Sequence, residues 1–270
     1  MTFHAVCLSQ LVACGGSSGS VSESTLDADN ASNGFVVIEQ RSEKFVFDAW
    51  FTRTPLSLNR PARLWENGTQ FCDSPEILSL SEESRIADSE LRAGTQWRKS
   101  LFAGESIDIS SRDGTLISLQ AQRYGDAVLY ATDERWIDAP LPDDAHLSVS
   151  GSETFPAFDS VALAPMAALV RELPVTGILQ ALAAPIAWQA STHADDRIEL
   201  TLSGRAGFTD GSGLQRVKCS LDDNGGFTLP DVVQAALSGE SSAQVSLVRK
   251  RETRLRSGEA TLSVVQISYP

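Results

Sequence analysis

The chain is poor in the residues by which most enzymes and nucleic-acid binders can be recognised. Among 270 residues there are only 3 histidines, 4 cysteines and 2 methionines. No histidine stands four residues from a second metal-ligand type on a helical pattern, so a zinc-hydrolase site is not expected. Cys72 and Cys219 come without a histidine pattern and do not form a zinc motif. Neither a G-x-G-x-x-G run nor a Walker loop occurs, which leaves nucleotide binding without support, and no cofactor is expected. Positive charge is also scarce, with 22 Lys and Arg against 35 Asp and Glu for a net charge of −13. That balance argues against nucleic acid as a partner and against electrostatic docking on anionic lipid. No apolar run approaches the roughly 20 residues of a spanning helix, so the body is expected to be soluble.

What the chain does have begins near its start. Residues 5–13 are apolar, Leu11-Val12-Ala13-Cys14 places small and apolar residues just before a cysteine, and Gly15-Gly16-Ser17-Ser18-Gly19-Ser20 follows. An apolar core and small residues at a cut are two of the three parts of an export signal. The third, a basic start, is missing from Met1-Thr2-Phe3-His4; one explanation is further residues upstream of Met1, and the alternative is an ordinary cytoplasmic N terminus that matches the pattern by chance. The pattern resembles the signal of a bacterial lipoprotein. The resemblance implies a removed leader over residues 1–13, lipid on the thiol and new amino group of Cys14, and contact with a membrane through that lipid alone. Gly15, rather than an aspartate, leans toward the outer membrane by the same resemblance. Residues 14–34 are rich in Gly, Ser, Asp and Asn, bury no apolar surface and read as a flexible tether. Gly15-Gly16-Ser17-Ser18-Gly19 also matches G-x-S-x-G, but that motif needs a strand before it and a helix after it, and a tether offers neither.

With Cys7 in the leader and Cys14 at the lipobox, Cys72 and Cys219 remain in the body. In an oxidising compartment they are candidates for one disulfide. The alternative is two separate buried thiols. A bridge across 147 residues would stabilise by about 4–5 kcal/mol in the chain-entropy model.

The body reads as mainly β. Phe45, Phe47, Ala49 and Phe51 fall on one face of a strand, with Trp50 opposite. Residues 106–110 alternate, Arg112-Asp113-Gly114 carries a hairpin turn, and residues 115–120 and 126–130 are further strands. Residues 148–154 suggest a boundary, dividing an N-terminal β-rich domain (35–150) from a C-terminal one (151–270). Residues 161–187 are Ala- and Leu-rich, but Pro165, Pro174 and Pro185 break any long helix, leaving at most a short one over 177–184. Ile198, Leu200 and Leu202 alternate inward, Val217, Cys219 and Leu221 share one face, and a helix follows Pro230 through Leu237. Residues 243–249 and 260–269 predict a closing hairpin.

Several short motifs lie in the C-terminal half: Phe155-Pro156-Ala157-Phe158-Asp159, Pro185-Ile186-Ala187-Trp188, Val217-Lys218-Cys219, and Asp222-Asp223-Asn224-Gly225-Gly226-Phe227-Thr228-Leu229-Pro230 before the helix. Over residues 145–270 the chain resembles a recurrent domain of uncharacterised bacterial secreted proteins and lipoproteins. The resemblance implies an immunoglobulin-like antiparallel sandwich with one short helix, and no assigned activity.

Candidate chemistry is sparse. His4 lies in the leader, and His146 and His193 are placed at a strand start and in a loop. Asp143-Asp144, Asp195-Asp196 and Asp222-Asp223 are read as solvated turn residues, since calcium needs several convergent oxygens. The one basic run, Arg249-Lys250-Arg251-Glu252-Thr253-Arg254-Leu255-Arg256, is read as a solvated hairpin tip. Trp50, Trp65, Trp97, Trp136 and Trp188 are candidates for a sugar platform, with core packing as the default. The expectation is a lipid-anchored envelope protein with a structural or binding role and no catalysis, its partner an envelope protein or polysaccharide. The alternatives are a carbohydrate-binding or adhesive surface module and a secreted hydrolase.

Overall fold

The computed structural model of the protein describes residues 32–41, 44–53, 62–74, 76–79, 100–125, 127–132, 137–170, 178–179, 184–205, 213–237 and 243–269. Its strands in chain order are β1 (Ser32–Arg41), β2 (Lys44–Thr52), β3 (Arg63–Asn67), β4 (Gln70–Asp73), β5 (Glu76–Ser79), β6 (Ser106–Ser111), β7 (Gly114–Tyr124), β8 (Ala127–Ala131) and β9 (His146–Val149). They continue as β10 (Phe158–Ala162), β11 (Ile178–Leu179), β12 (Ile186–Ala187), β13 (Arg197–Arg205), β14 (Gly213–Asp222), β15 (Gly226–Phe227), β16 (Ala243–Ser257) and β17 (Ala260–Ser268), with helix α1 (Asp231–Leu237) between β15 and β16. The protein is thus mainly β. A large sheet runs β2-β1-β17-β16-β13-β14-β4-β3, with β11 added to β16 and β5 to β14, while a second sheet runs β10-β9-β6-β7-β8 and β12 pairs with β15.

Period-two alternation is what makes these segments strands with one buried face. On β2 the predicted face is buried, with Phe45, Phe47, Ala49 and Phe51 each under a tenth exposed. Opposite them, Ile107, Ile109, Ile117, Leu119, Leu147 and Val149 point inward from the five-stranded sheet, and both sets belong to one hydrophobic cluster. The two sheets therefore pack face to face in a sandwich-like arrangement. Gly34 sits where β1 crosses this core. A Cβ there would lie 2.6 Å from the Phe51 ring and 2.7 Å from that of Phe155, so only glycine fits. The expected tether is shortened accordingly, because Ser32, Asn33 and Gly34 already belong to β1.

A second cluster gathers Ile198, Leu200, Leu202, Val217, Cys219, Leu221, Trp188, Val233 and Leu237. The expected inward faces of β13 and β14 are thus the buried ones. Helix α1 starts where Pro230 predicts, with the Pro230 carbonyl accepting from Gln234 N at 3.0 Å. A helix over 177–184 is not what residues 178–179 form; they pair as β11 with Gln244 and Ala243 of β16, and its remaining positions up to 183 lie outside the described residues.

The two clusters do not divide at residue 150. Phe155, Phe158, Leu163, Ala260, Leu262 and Val264 belong to the first cluster with β1 and β2, whereas Cys72 belongs to the second. The cause is a non-local pairing, since β1 runs parallel to β17 in register from Ser32↔Ala260 to Gln40↔Ser268. Strand β16 spans both halves. Its residues 244–250 pair with β13 and its residues 249–257 with β17.

Candidate functional site

The basic run departs most from expectation. It is no hairpin tip: β16 continues to Ser257 and turns at Gly258, φ +59°. Residues 249–251 fall instead where the two pairing partners of β16 change over, which puts Arg249 and Arg251 indoors at 0% and 5% exposure. Arg249 Nε donates to Asp223 Oδ2 at 2.6 Å, and its other nitrogens donate to the carbonyls of Ala167, Ala168 and Gln189 at 2.8, 3.1 and 2.6 Å. Trp188 Nε1 donates to Asp223 Oδ1 at 2.8 Å. Arg251 Nε donates to Asp196 Oδ1 at 2.7 Å and its Nη1 to the Ala164 carbonyl at 2.8 Å, while Ser191 Oγ donates to Asp196 Oδ2 at 2.6 Å. A charge removed from water must be paired and its remaining hydrogen-bonding positions filled; both arginines are paired with a carboxylate, and all three nitrogens of Arg249 have partners. Asp196 and Asp223 are therefore not the solvated turn residues expected of them. Their neighbours stay outside: Asp222 pairs with Arg197 at the surface, and Asp195 lies 3.9 Å from His193.

The other candidates are scattered. Cys72 and Cys219 are direct partners on β4 and β14, are buried, and are joined by a disulfide. Cys7, Cys14 and His4 lie outside the described residues, as do Trp97 and Trp136. His146 Nδ1 lies 3.4 Å from the Asp144 carbonyl. Ser191 turns its hydroxyl to Asp196 and accepts from the backbone N of His193. Trp188 is in the second core, and Trp65 packs on Phe227 with centroids 5.5 Å apart. Trp50 lies on the outward face of β2, half-buried, and stacks on Phe35 with ring centroids 5.4 Å apart and planes 19° apart. Among the described residues no three His, Cys, Asp or Glu side chains converge as metal ligands, and no helix is long and apolar enough to cross a membrane.

A concavity among the described residues lies on the five-stranded sheet. It is open, measures about 500 Å³, and is bordered by Thr115, Leu116, Ser118, Gln120, Gln122 and Ala131 among others, every lining residue being uncharged. Register explains how these side chains meet. Asp108 opposes Ser118 and Ser106 opposes Gln120, but Ser110 opposes Thr115, so Leu116 is an extra residue on β7. This bulge returns Thr115 to the outward face shared by Ser118 and Gln120 despite the odd spacing. Gln122 faces Leu129 across β8.

Hydrogen bonds orient the array. Asp108 accepts from Ser106 Oγ at 2.7 Å and from Ser118 Oγ. Ser118 Oγ in turn accepts from Gln120 Nε2 at 2.6 Å, and Gln122 Oε1 accepts from Tyr124 OH at 2.8 Å. Both Asp108 oxygens thus hold hydroxyls of the sheet. Tyr124 (59% exposed) and Leu129 (38%) are large side chains left in solvent at one end of this face. Residues 115–120 were recognisable as a strand, but the face they share with β6 and β8 follows only from the bulge. Comparison with family models, with curated proteins and with solved structures finds no match for this chain.

Proposed function

We propose that the protein is a cell-envelope lipoprotein, held by lipid on Cys14, whose β-rich body has a binding or structural role and carries out no catalysis. The observation that carries this reading is the disulfide between Cys72 and Cys219 in the second core. Structural disulfides go with export to an oxidising compartment, and the lipobox supplies the address. Of the two membranes, the outer one is favoured by Gly15. In the same reading residues 145–270 carry the immunoglobulin-like character of their resemblance, which the antiparallel ladder β14-β13-β16-β17 supports. Mass spectrometry of the mature N terminus is the test, with Cys14→Ser as control. A processed chain beginning at acylated Cys14 is expected, and an unmodified start at Met1 overturns the reading.

A second reading, carbohydrate binding, is favoured by the polar outer face of β6, β7 and β8. Hydroxyl and amide groups held ready on a rigid sheet suit a ligand that offers hydroxyls. Retention on immobilised envelope and extracellular polysaccharides tests it, and retention on none of them removes it.

A further inference from the structure

We propose that the concavity on β7 and β8 is a saccharide site, and that its ligand is neutral, a stretch of uncharged hydroxyl-rich glycan lying along β7. The proposal rests on the carbohydrate reading above and narrows it to a place and a ligand class. Charge is the first argument. The chain carries −13 overall, which repels polyanionic glycans, and the lining contains neither a cation to attract them nor a free carboxylate to bind a cation. Asp108, which holds the lining residue Ser118, already accepts from Ser106 and Ser118 with its two oxygens.

The second argument is the direction of the hydrogen bonds. Because Ser118 donates to Asp108, it accepts from Gln120 Nε2, and the Gln120 Oε1 is the end left to accept from a ligand. Because Tyr124 OH donates to Gln122 Oε1, the Gln122 Nε2 is the end left to donate. The sheet thus presents an acceptor and a donor two residues apart on one strand, about 7 Å. A sugar hydroxyl can answer either one, whereas a purely donating or purely accepting ligand gains only one of the two hydrogen bonds and leaves the other group to water. The third argument is shape and polarity. A volume of about 500 Å³ lies in the range of small-ligand sites, and Leu116, Ala131 and, at its end, Leu129 and Tyr124 offer apolar surface to the C–H faces of sugar rings.

The test uses the full chain and named probes: maltohexaose, laminarihexaose and chitohexaose as neutral oligomers, oligogalacturonate as the acidic one. Saturable binding of at least one neutral oligomer is expected, changing less than about twofold up to about 0.5 M salt because no charge is involved. The double variant Gln120→Ala with Gln122→Ala should weaken it by about tenfold or more, as for loss of two hydrogen bonds, with an unchanged far-ultraviolet circular dichroism spectrum. Trp50→Ala, on the opposite face of the sandwich, should leave it unchanged. Binding that survives the glutamine double variant and is lost in Trp50→Ala overturns the groove while keeping carbohydrate recognition. A preference for oligogalacturonate overturns the neutral ligand class. Failure to bind any of the four overturns the neutral-glycan groove, and the carbohydrate reading beneath it falls with it when the polysaccharide retention test is also negative.

Discussion

At the scale of single residues, the buried charges carry the largest consequences. Arg249 holds Asp223 and three backbone carbonyls in a place water does not reach. Arg249→Ala leaves Asp223 buried and uncompensated, and should cost about 3–5 kcal/mol in chemical denaturation. Arg254→Ala, a few residues along the same strand, removes only an exposed pairing with Glu252 and should cost no more than about 1 kcal/mol. Lysine will not replace Arg249, because one ammonium cannot reproduce the planar fork that meets a carboxylate and carbonyls together. Tyr130 gives a pH signature. Burial, chiefly, pushes its hydroxyl from the ordinary 10.0 up to about 12, while that hydroxyl accepts from Ala103 N at 2.7 Å and donates to the Gly104 carbonyl at 2.9 Å. The unfolded chain loses this proton at lower pH than the folded one. Stability from Tyr130 is therefore complete below pH 10 and falls away as pH rises toward 12. Thermal midpoints measured from pH 9 upward should drop more steeply for the native chain than for Tyr130→Phe, which has no proton to lose there.

At the scale of elements, the disulfide joins β4 to β14 across a sequence separation of 147 residues. Replacing both Cys72 and Cys219 by alanine should lower stability by about 4–5 kcal/mol in the chain-entropy model, read as a shift of the urea midpoint. The same elements show what the sequence makes legible. Alternation on β2, β13 and β14 exposes their buried faces directly, because a half-buried strand must repeat every two residues. The turn before Gly114 and the helix start at Pro230 are legible from local backbone chemistry. Strand β16 is not. A run of four arginines and a lysine over residues 249–256 reads as solvent-exposed on composition, and only the strands that flank it and the loop over 163–170 make two of those arginines interior. The candidate groove fails to show for a related reason: Leu116 is bulged out of register by Ser110↔Thr115, and no local signal announces a bulge whose partner lies on another strand. Asp196 and Asp223 looked like ordinary turn acids because their partners stand 55 and 26 residues away.

At the scale of the whole molecule, the pairing of β1 with β17 decides how the chain can be divided. Composition suggests a cut near residue 150, since residues 139–154 are rich in Pro, Asp and Ser. The first core ignores that cut: Val36 and Ile38 from the start of the body share it with Leu262 and Val264 from its end. Each such side chain contributes about 1.5–3 kcal/mol by burial, and folded domains are held by about 5–15 kcal/mol in total. A fragment of residues 151–270 would therefore expose Phe155, Phe158, Leu163, Ala260, Leu262 and Val264 together and would leave β17 without its parallel partner. It would also lose β4 and with it the disulfide to Cys219. An unpaired strand edge beside a bared apolar face favours association over folding. The fragment is expected to give a poorly dispersed amide spectrum and strong binding of a hydrophobic dye, whereas the intact body gives neither. A well-dispersed spectrum with a cooperative unfolding transition would show instead that the C-terminal half folds by itself, and that β1 is added to a core already complete without it.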